Sequence, residues 1–226
     1  MHILDRFTLR KDVVPVLDII EKPPLLLEPF GEVEGTIMRS TELPRDRWGD
    51  SIWQGPGEIF VMDASAPGYK DCPPELKETK MVKDLEETLS TAFCDSSLSP
   101  GRLLDALDGV LNSVERIRWN GDTDYGVSCT AVRVVPTDKC VTIVSIGTNT
   151  VLVNGRVLFP PSKRFYHPFP MPNSRAAGVA IPKVCQILIA EISSLAIHTD
   201  GLNYRSGRPI SIAPRAKEAT ILIIER

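Results

Sequence analysis

Residues 126–159, GVSCTAVRVVPTDKCVTIVSIGTNTVLVNGRVLF, decide the fold class. Valine, isoleucine and threonine dominate four short runs in this stretch, which is typical of β-strands. The predicted strands are 128–135, 140–146, 151–153 and 157–159. The gaps between them are too short for helices, and Asn154-Gly155 favours a tight hairpin because both positions tolerate a positive φ. We therefore predict an antiparallel meander in this half of the chain.

The segments on either side extend the pattern. Further strands are predicted at 33–37, 59–62, 184–190, 195–199 and 220–225, with a polar connection between the first two and an irregular loop at 160–172. One helix is predicted at about 73–93 from its apolar spacing. A second begins at Ser99, a natural N-cap, with Pro100 at the first helical position. Together these elements predict an α+β fold in which helices cover the outer faces of packed antiparallel sheets.

The first 31 residues give no clear secondary structure. Residues 13–20 suit either a strand or a short helix, and the pair Pro23-Pro24 would end both. We treat residues 1–31 as an N-terminal arm that packs on a single domain at 32–226. A chain of 226 residues lies within the range that a layered domain fills as one unit.

Composition limits the classes of function. The chain is 42% hydrophobic and 24% charged, with a net charge of -3, which is typical of a globular protein and gives no broad basic surface for nucleic acid. Its five cysteines form no C-x-x-C pair, and the most apolar late stretch is too short to span a bilayer. The amino terminus carries charge where a signal peptide is apolar. These features predict a cytoplasmic protein without a nucleic-acid or membrane partner.

Three acidic residues stand where apolar strands begin or end. Asp63 follows one strand, Asp200 follows another, and Glu218 precedes the last strand. If these strands are neighbours, their carboxylates meet, and like charges tolerate proximity only with a cation or a raised pKa. Oxygen ligands without clustered His or Cys favour Mg²⁺ or Mn²⁺. From spacing alone, ordinary acidic turn residues remain the alternative.

Five short motifs occur in one order along the chain: FVMD (60–63), GVSCTAV (126–132), IGTNT (146–150), HTDGL (198–202) and EATILI (218–223). In this order the chain resembles the metal-dependent type 2C serine/threonine protein phosphatases, which include a branch of small bacterial regulatory enzymes. The resemblance implies a four-layer α/β/β/α sandwich. It also implies two Mg²⁺ or Mn²⁺ ions and a water that attacks the phosphorus of phosphoserine or phosphothreonine on a protein substrate.

The resemblance also implies roles for individual residues. Asp63 and Asp200 would be the catalytic metal-holding residues, joined by the carbonyl oxygen of Ala64. Glu218 would replace a late aspartate of the family, and Asp50 would match an early acidic residue. A phosphate-binding arginine would be Arg45 or Arg47.

The chain also departs from the family pattern. Residues 64–68, Ala-Ser-Ala-Pro-Gly, replace a glycine-rich loop, and Gly147-Thr148-Asn149 lacks the family's aspartate. His198 lies beside Asp200, but as a strand residue we expect it to be buried or solvent-exposed rather than catalytic. Three interpretations stay open: an active phosphatase, a catalytically degenerate pseudophosphatase that binds a regulatory protein partner, and an unrelated α+β binding domain.

Overall fold

The structure is a computed structural model. It describes residues 17–21, 25–55, 57–66, 73–93, 99–115, 125–135, 137, 139–168, 177–200, 202–205, 208–212 and 218–225. In chain order its elements are β1 (Leu17–Glu21), β2 (Leu25–Leu27), β3 (Gly31–Ser40), β4 (Asp50–Gly55), β5 (Glu58–Ser65), α1 (Glu78–Phe93), α2 (Pro100–Glu115), β6 (Gly126–Val135), β7 (Cys140–Ile146), β8 (Thr150–Val153), β9 (Arg156–Phe159), β10 (Phe165–Tyr166), β11 (Ala177–Gly178), β12 (Lys183–Leu188), β13 (Ser194–His198), β14 (Leu202–Arg205), β15 (Arg208–Ile212) and β16 (Glu218–Glu225).

Two antiparallel sheets form the centre of the fold. The first has the order β1-β3-β16-β13-β8-β9, and β2 also pairs with β3. In the second, β7 and β5 flank β6, β12 pairs with β7, and β4 pairs with β5. The short strands β10 and β11 join this sheet at β6, and β14 and β15 form a separate hairpin.

The apolar residues form two layers. One layer lies between the sheets, because alternate side chains of each strand point to the same face. It includes Ile59, Val61, Val132 and Ile143 from the second sheet and Ile37, Leu195, Ile197 and Leu222 from the first. The other layer lies between the second sheet and both helices, and it includes Phe60, Met62, Cys129, Leu85, Leu89 and Leu107.

Both helices pack as the sequence predicts, but α1 begins at Glu78, after a short 3-10 turn at Pro74–Leu76, rather than at about residue 73. Met81, Val82, Leu85, Leu89 and Phe93 of α1 are buried, at the intervals that place them on one helix face. At the start of α2, the Arg102 N–H donates to Ser99 Oγ at 3.3 Å, which caps the helix. Burying a side chain of leucine size stabilises the fold by about 1.5–3 kcal/mol, so the periodic stripe is what fixes each helix on the sheet.

The predicted α+β sandwich of two packed antiparallel sheets flanked by helices is confirmed. The hairpin between β8 and β9 is also confirmed, with φ angles of 52° at Asn154 and 74° at Gly155. The segment predicted to pack as an arm contributes β1 and β2, which pair with β3, while residues 1–16 lie outside the described residues. In the described part of the chain, no helix is long and apolar enough to cross a bilayer.

The prediction of a polar connection between residues 37 and 59 was wrong in part. Residues 50–55, DSIWQG, form β4, which pairs along its whole length with β5. Only Ile52 and Trp53 are bulky and apolar, so the local pattern is weak, and β4 forms because it pairs with the buried strand β5. The loop predicted at 160–172 likewise contains the short strand β10.

Candidate active site

Asp50 and Asp63 lie side by side at one end of the second sheet. Asp50 is the first residue of β4, Asp63 is near the end of β5, and the two are directly paired in the antiparallel register. Cross-strand partners project to the same face, so their carboxyl groups are neighbours. Both residues are buried, with 4% and 6% of their surface exposed. The fold therefore places two acids where water cannot screen them.

This burial changes their protonation. Burial, and then the charge of Glu218, raise the pKa of Asp50 to about 8, although the hydroxyl of Thr199 opposes the shift. Burial also raises the pKa of Asp63 well above its usual value, and the charges of Asp50, Asp200 and Glu218 add to the rise. Without a cation, the pair therefore retains a proton near neutral pH. A bound cation would take the place of that proton.

Asp200 and Thr199 reach this pair from the first sheet. Both follow β13; Asp200 lies at the surface, and its charge acts on Asp63. Thr199 Oγ1 donates to Asp50 Oδ2 at 2.9 Å and accepts the N–H of Thr220 at 2.9 Å. A second bond joins the Thr199 N–H to the Thr220 carbonyl oxygen at 3.2 Å. The two sheets thus meet at the carboxylates.

Glu218 lies at the same end but is held by other groups. It is the first residue of β16, directly opposite Arg39 of β3, and the Arg39 Nε–H donates to its Oε1. Its Oε2 accepts the N–H groups of Gly49 and Asp50 at 2.8 and 3.0 Å. Both oxygens of Glu218 therefore have protein donors.

Gly49 allows the closest approach in the site. The Ala64 N–H donates to the Gly49 carbonyl oxygen at 3.0 Å. A Cβ atom at position 49 would lie 2.4 Å from the Ala64 carbonyl oxygen, which is far inside contact distance. That oxygen, the predicted metal ligand of Ala64, therefore packs against the backbone of Gly49. Only glycine permits this spacing.

The two predicted phosphate-binding arginines have different surroundings. Arg47 forms an ion pair with Glu78 of α1 at 2.6 Å, and its Nη2 donates to the Ala66 carbonyl oxygen at 3.3 Å. Arg45 is exposed, and its guanidinium lies 5.8 Å from the centre of the Trp48 ring. Burial raises the pKa of Glu78 to about 7, and Arg47 opposes this rise. Of the two, Arg45 is the one whose side chain faces solvent.

His198 is buried in β13, as expected from its place in the strand. Burial lowers the pKa of its imidazole to about 3, so the ring is uncharged near neutral pH. An uncharged ring avoids the cost of burying a cation.

The residues fit a hard cation only in part. Asp50, Asp63 and Asp200 supply oxygen atoms, which Mg²⁺ and Mn²⁺ prefer. Two of them are buried together, where a cation would offset their repulsion. Among the residues that the structure describes, however, no three His, Cys, Asp or Glu side chains already form a group that could hold a metal ion. To hold one ion together, the three aspartates would have to lie closer to one another than they do here.

Sequence reasoning missed Arg39, Thr199, Thr220 and Glu78 as parts of the site. Arg39 had a usable signal, because it is a charged residue that directly follows two apolar residues, Ile37 and Met38, near the end of a strand. Thr199 and Thr220 had none, since strands commonly contain threonine. Glu78 is the first residue of α1, where acidic residues are common for helix-dipole reasons alone.

No family model matches the sequence, and no curated protein matches it. Solved structures do match its fold. Serine/threonine phosphatase Stp1 from Staphylococcus aureus aligns with a TM-score of 0.54 and 14% identity over 92% of this chain and 99% of that one. The catalytic domain of serine/threonine phosphatase PstP in complex with two manganese ions aligns with a TM-score of 0.53 and 11% identity, over 85% of this chain and 97% of that one.

RsbX in complex with magnesium aligns with a TM-score of 0.51 and 10% identity, over 93% of this chain and 100% of that one. At such low identity the similarity establishes the fold and leaves the chemistry open. The matches cover nearly the full length of each neighbour, so the likeness extends to both sheets and the helices. The chain has the fold of the type 2C serine/threonine phosphatases, as the order of its motifs predicted.

Proposed function

We propose that the chain is a metal-dependent phosphatase that hydrolyses phosphoserine or phosphothreonine on a protein substrate. One observation carries the proposal: Asp50 and Asp63 are buried together, and the charge of Asp200 also raises the pKa of Asp63. Such an arrangement is costly for folding unless a cation or proton neutralises it. Groups with strongly shifted pKa values concentrate at functional sites.

The residues of the chain would divide the work as follows. Asp63, Asp200 and Asp50 would hold one or two Mg²⁺ or Mn²⁺ ions, and Thr199 would keep Asp50 in place through its hydrogen bond. Bound ions of this kind neutralise charge on a phosphoryl group and lower the pKa of a water that attacks it. Arg45 would bind the phosphate group from the solvent side. Arg47 would order the edge of the site through Glu78.

Two of the structural neighbours support the choice of metal. PstP was solved with two manganese ions and RsbX with magnesium. Both metals favour oxygen ligands, and the acidic pair of this chain presents only oxygen atoms. Two neighbours, PstP and Stp1, are serine/threonine phosphatases, which supports the proposed substrate class.

A second candidate is a pseudophosphatase that binds a protein partner. The specific observation in its favour is that both carboxylate oxygens of Glu218 already accept hydrogen bonds within the protein. The carbonyl of Ala64 is also packed against Gly49. These contacts leave fewer free ligands than the resemblance implies.

Hydrolysis of an aryl phosphate and of a phosphothreonine peptide distinguishes the candidates. The phosphatase should act on both with Mn²⁺ or Mg²⁺, lose activity in chelator, and lose it again in Asp63→Asn. Asp84→Asn, which changes an acidic residue on the outside of α1, is the matched control and should remain active. Activity that persists in chelator or in Asp63→Asn would contradict the proposed chemistry.

A further inference from the structure

Arg39 contacts Glu218, and it is held on three sides. Its Nε–H donates to Glu218 Oε1, and its Nη2 donates to the carbonyl oxygen of Asp50 at 2.8 Å. The guanidinium also lies 4.3 Å from the centre of the Trp48 ring, within the range of a cation–π contact. A planar guanidinium suits this arrangement because its donors point in fixed directions.

The other half of Glu218 holds the backbone just before the acidic pair. Its Oε2 accepts both the Gly49 and the Asp50 N–H groups. If Glu218 turned to bind a metal, these two N–H groups would lose their acceptor. A buried N–H group that loses its acceptor destabilises the fold. The present contacts therefore resist a role for Glu218 as a metal ligand.

Asp50 is consequently fixed at three points by residues of the first sheet. Glu218 accepts its N–H, Arg39 donates to its carbonyl oxygen, and Thr199 donates to its carboxylate. Asp50 itself belongs to the second sheet, where it pairs with Asp63. The first sheet thus determines the direction in which this carboxylate points.

We propose that Arg39 and Glu218 are a positioning pair that holds the Gly49–Asp50 backbone, so that the carboxylate of Asp50 faces Asp63, and that Glu218 does not ligate a metal ion. The part that concerns metal rests on the proposed function. The part that concerns the Gly49–Asp50 backbone does not depend on the proposed function. Residues that orient metal ligands in this way typically change metal affinity about 10–100-fold when they are mutated.

Two matched double variants separate positioning from ligation. Arg39→Met with Glu218→Gln removes both charges but keeps an amide oxygen that can accept the Gly49 and Asp50 N–H groups. Arg39→Met with Glu218→Met removes the same charges and that acceptor. Replacing a buried ion pair by neutral side chains is often tolerated, so both variants should fold.

Calorimetric titration of Mn²⁺ into the full chain gives the first readout. Both double variants lack Arg39, so they are compared with each other: positioning predicts that the Glu218→Met double variant binds about 10–100-fold more weakly than the Glu218→Gln double variant, which keeps an acceptor for the two N–H groups. If Glu218 is a ligand, both variants lose the carboxylate and weaken equally, which overturns the inference. Should the Glu218→Met double variant not fold, the single variant Glu218→Gln, which keeps Arg39 and an acceptor oxygen, decides: a loss of 10-fold or more in its Mn²⁺ affinity overturns the inference.

Hydrogen exchange of the Gly49 and Asp50 amides in metal-free protein gives the second readout. These amides should exchange at least about 10-fold faster in the Glu218→Met double variant than in the Glu218→Gln one. Equal exchange in the two variants overturns the hold on the backbone, whatever the metal result. A wild type that binds no Mn²⁺ contradicts the proposed function instead, and the exchange data then decide the positioning role.

Discussion

The backbone of Gly49 touches the carbonyl oxygen of Ala64, and this contact lets β4 begin directly beside the end of β5. A Cβ at residue 49 would lie only 2.4 Å from that oxygen. The next residue, Asp50, is then opposite Asp63. The spacing of the two strands at Gly49 therefore sets the spacing of the two carboxyl groups.

Gly49→Ala should destabilise the protein and reduce its activity together. The added methyl group meets a backbone oxygen, which cannot rotate away, so the strands must move apart, at a cost of about 1–3 kcal/mol. Chemical denaturation measures the change. Gly109→Ala in α2 is the control, because its Cβ would meet nothing within 4 Å. That variant should gain up to about 1 kcal/mol from helix propensity. Unchanged stability in Gly49→Ala would show that the close approach is not required.

Asp63→Asn should stabilise the metal-free protein at pH 8. The same variant should lose the extra stability that Mn²⁺ binding gives the wild type. The wild-type carboxyl is buried and is opposed by the charges of Asp50 and Asp200, and an amide removes that repulsion. We expect a gain of about 1–2 kcal/mol, in line with the stability commonly given up at functional sites. Thermal melts with and without Mn²⁺ measure both effects. The stability gained by the variant should shrink as the pH falls from 8 towards about 4, because below that value aspartates are protonated in the unfolded chain as well.

The metal-free wild type should lose stability as pH rises from 6.5 to 8, above the range in which the lowered pKa of His198 makes stability rise with pH. The pKa of Asp50 is about 8 in the folded protein and 3.8 normally, so the folded state holds a proton that the unfolded state releases. Each such group lowers the free energy of unfolding by up to about 1.4 kcal/mol per pH unit. Asp50→Asn should make the free energy of unfolding fall less steeply with pH. Part of the fall should remain, because the pKa of Glu78 is also raised, to about 7.

Asp46→Asn is the matched control for this pH series. Its hydrogen bond with Lys77 lowers the pKa of Asp46, so this group titrates below the window and should leave the slope unchanged. Urea denaturation at several pH values in chelator measures the slopes. A wild type whose stability rises between pH 6.5 and 8 would contradict the protonation assigned to the acidic pair.

Arg45→Ala and Arg47→Ala should have separable effects. Arg47 neutralises the buried carboxyl of Glu78, so its loss should cost about 1–3 kcal/mol of stability. Arg45 is exposed, so Arg45→Ala should change stability by less than about 0.5 kcal/mol but raise KM for a phosphopeptide. Steady-state kinetics and denaturation of both variants test this division. A stable Arg47→Ala with raised KM would assign phosphate binding to Arg47 instead.

The fold was largely predictable because its signals are local. The helical spacing of apolar residues in α1, the Ser99 cap of α2 and the Asn154-Gly155 turn each specify a structure within a few residues. Strand β4 was not predictable in this way. Its six residues become a strand because β5 offers a long, buried partner, which is a tertiary effect.

The candidate site was predictable only as a set of strand ends. Acidic residues next to apolar strands identify Asp63, Asp200 and Glu218, but not the groups that each one contacts. Glu218 bonds to Arg39, which is 179 residues away in the sequence. The two residues meet only because β3 and β16 are neighbouring strands in the sheet. Strand order is not encoded in any local pattern, so the distinction between a free and an occupied carboxylate required the structure.

A crystal of the full chain soaked in Mn²⁺, with the metal located by its anomalous scattering, tests the central claim most directly. The account predicts a manganese ion about 2–2.5 Å from carboxylate oxygens of both Asp63 and Asp200, with Glu218 still bound to Arg39. An ion elsewhere on the protein, with the carboxylates of Asp63 and Asp200 directed to different surfaces, would contradict it.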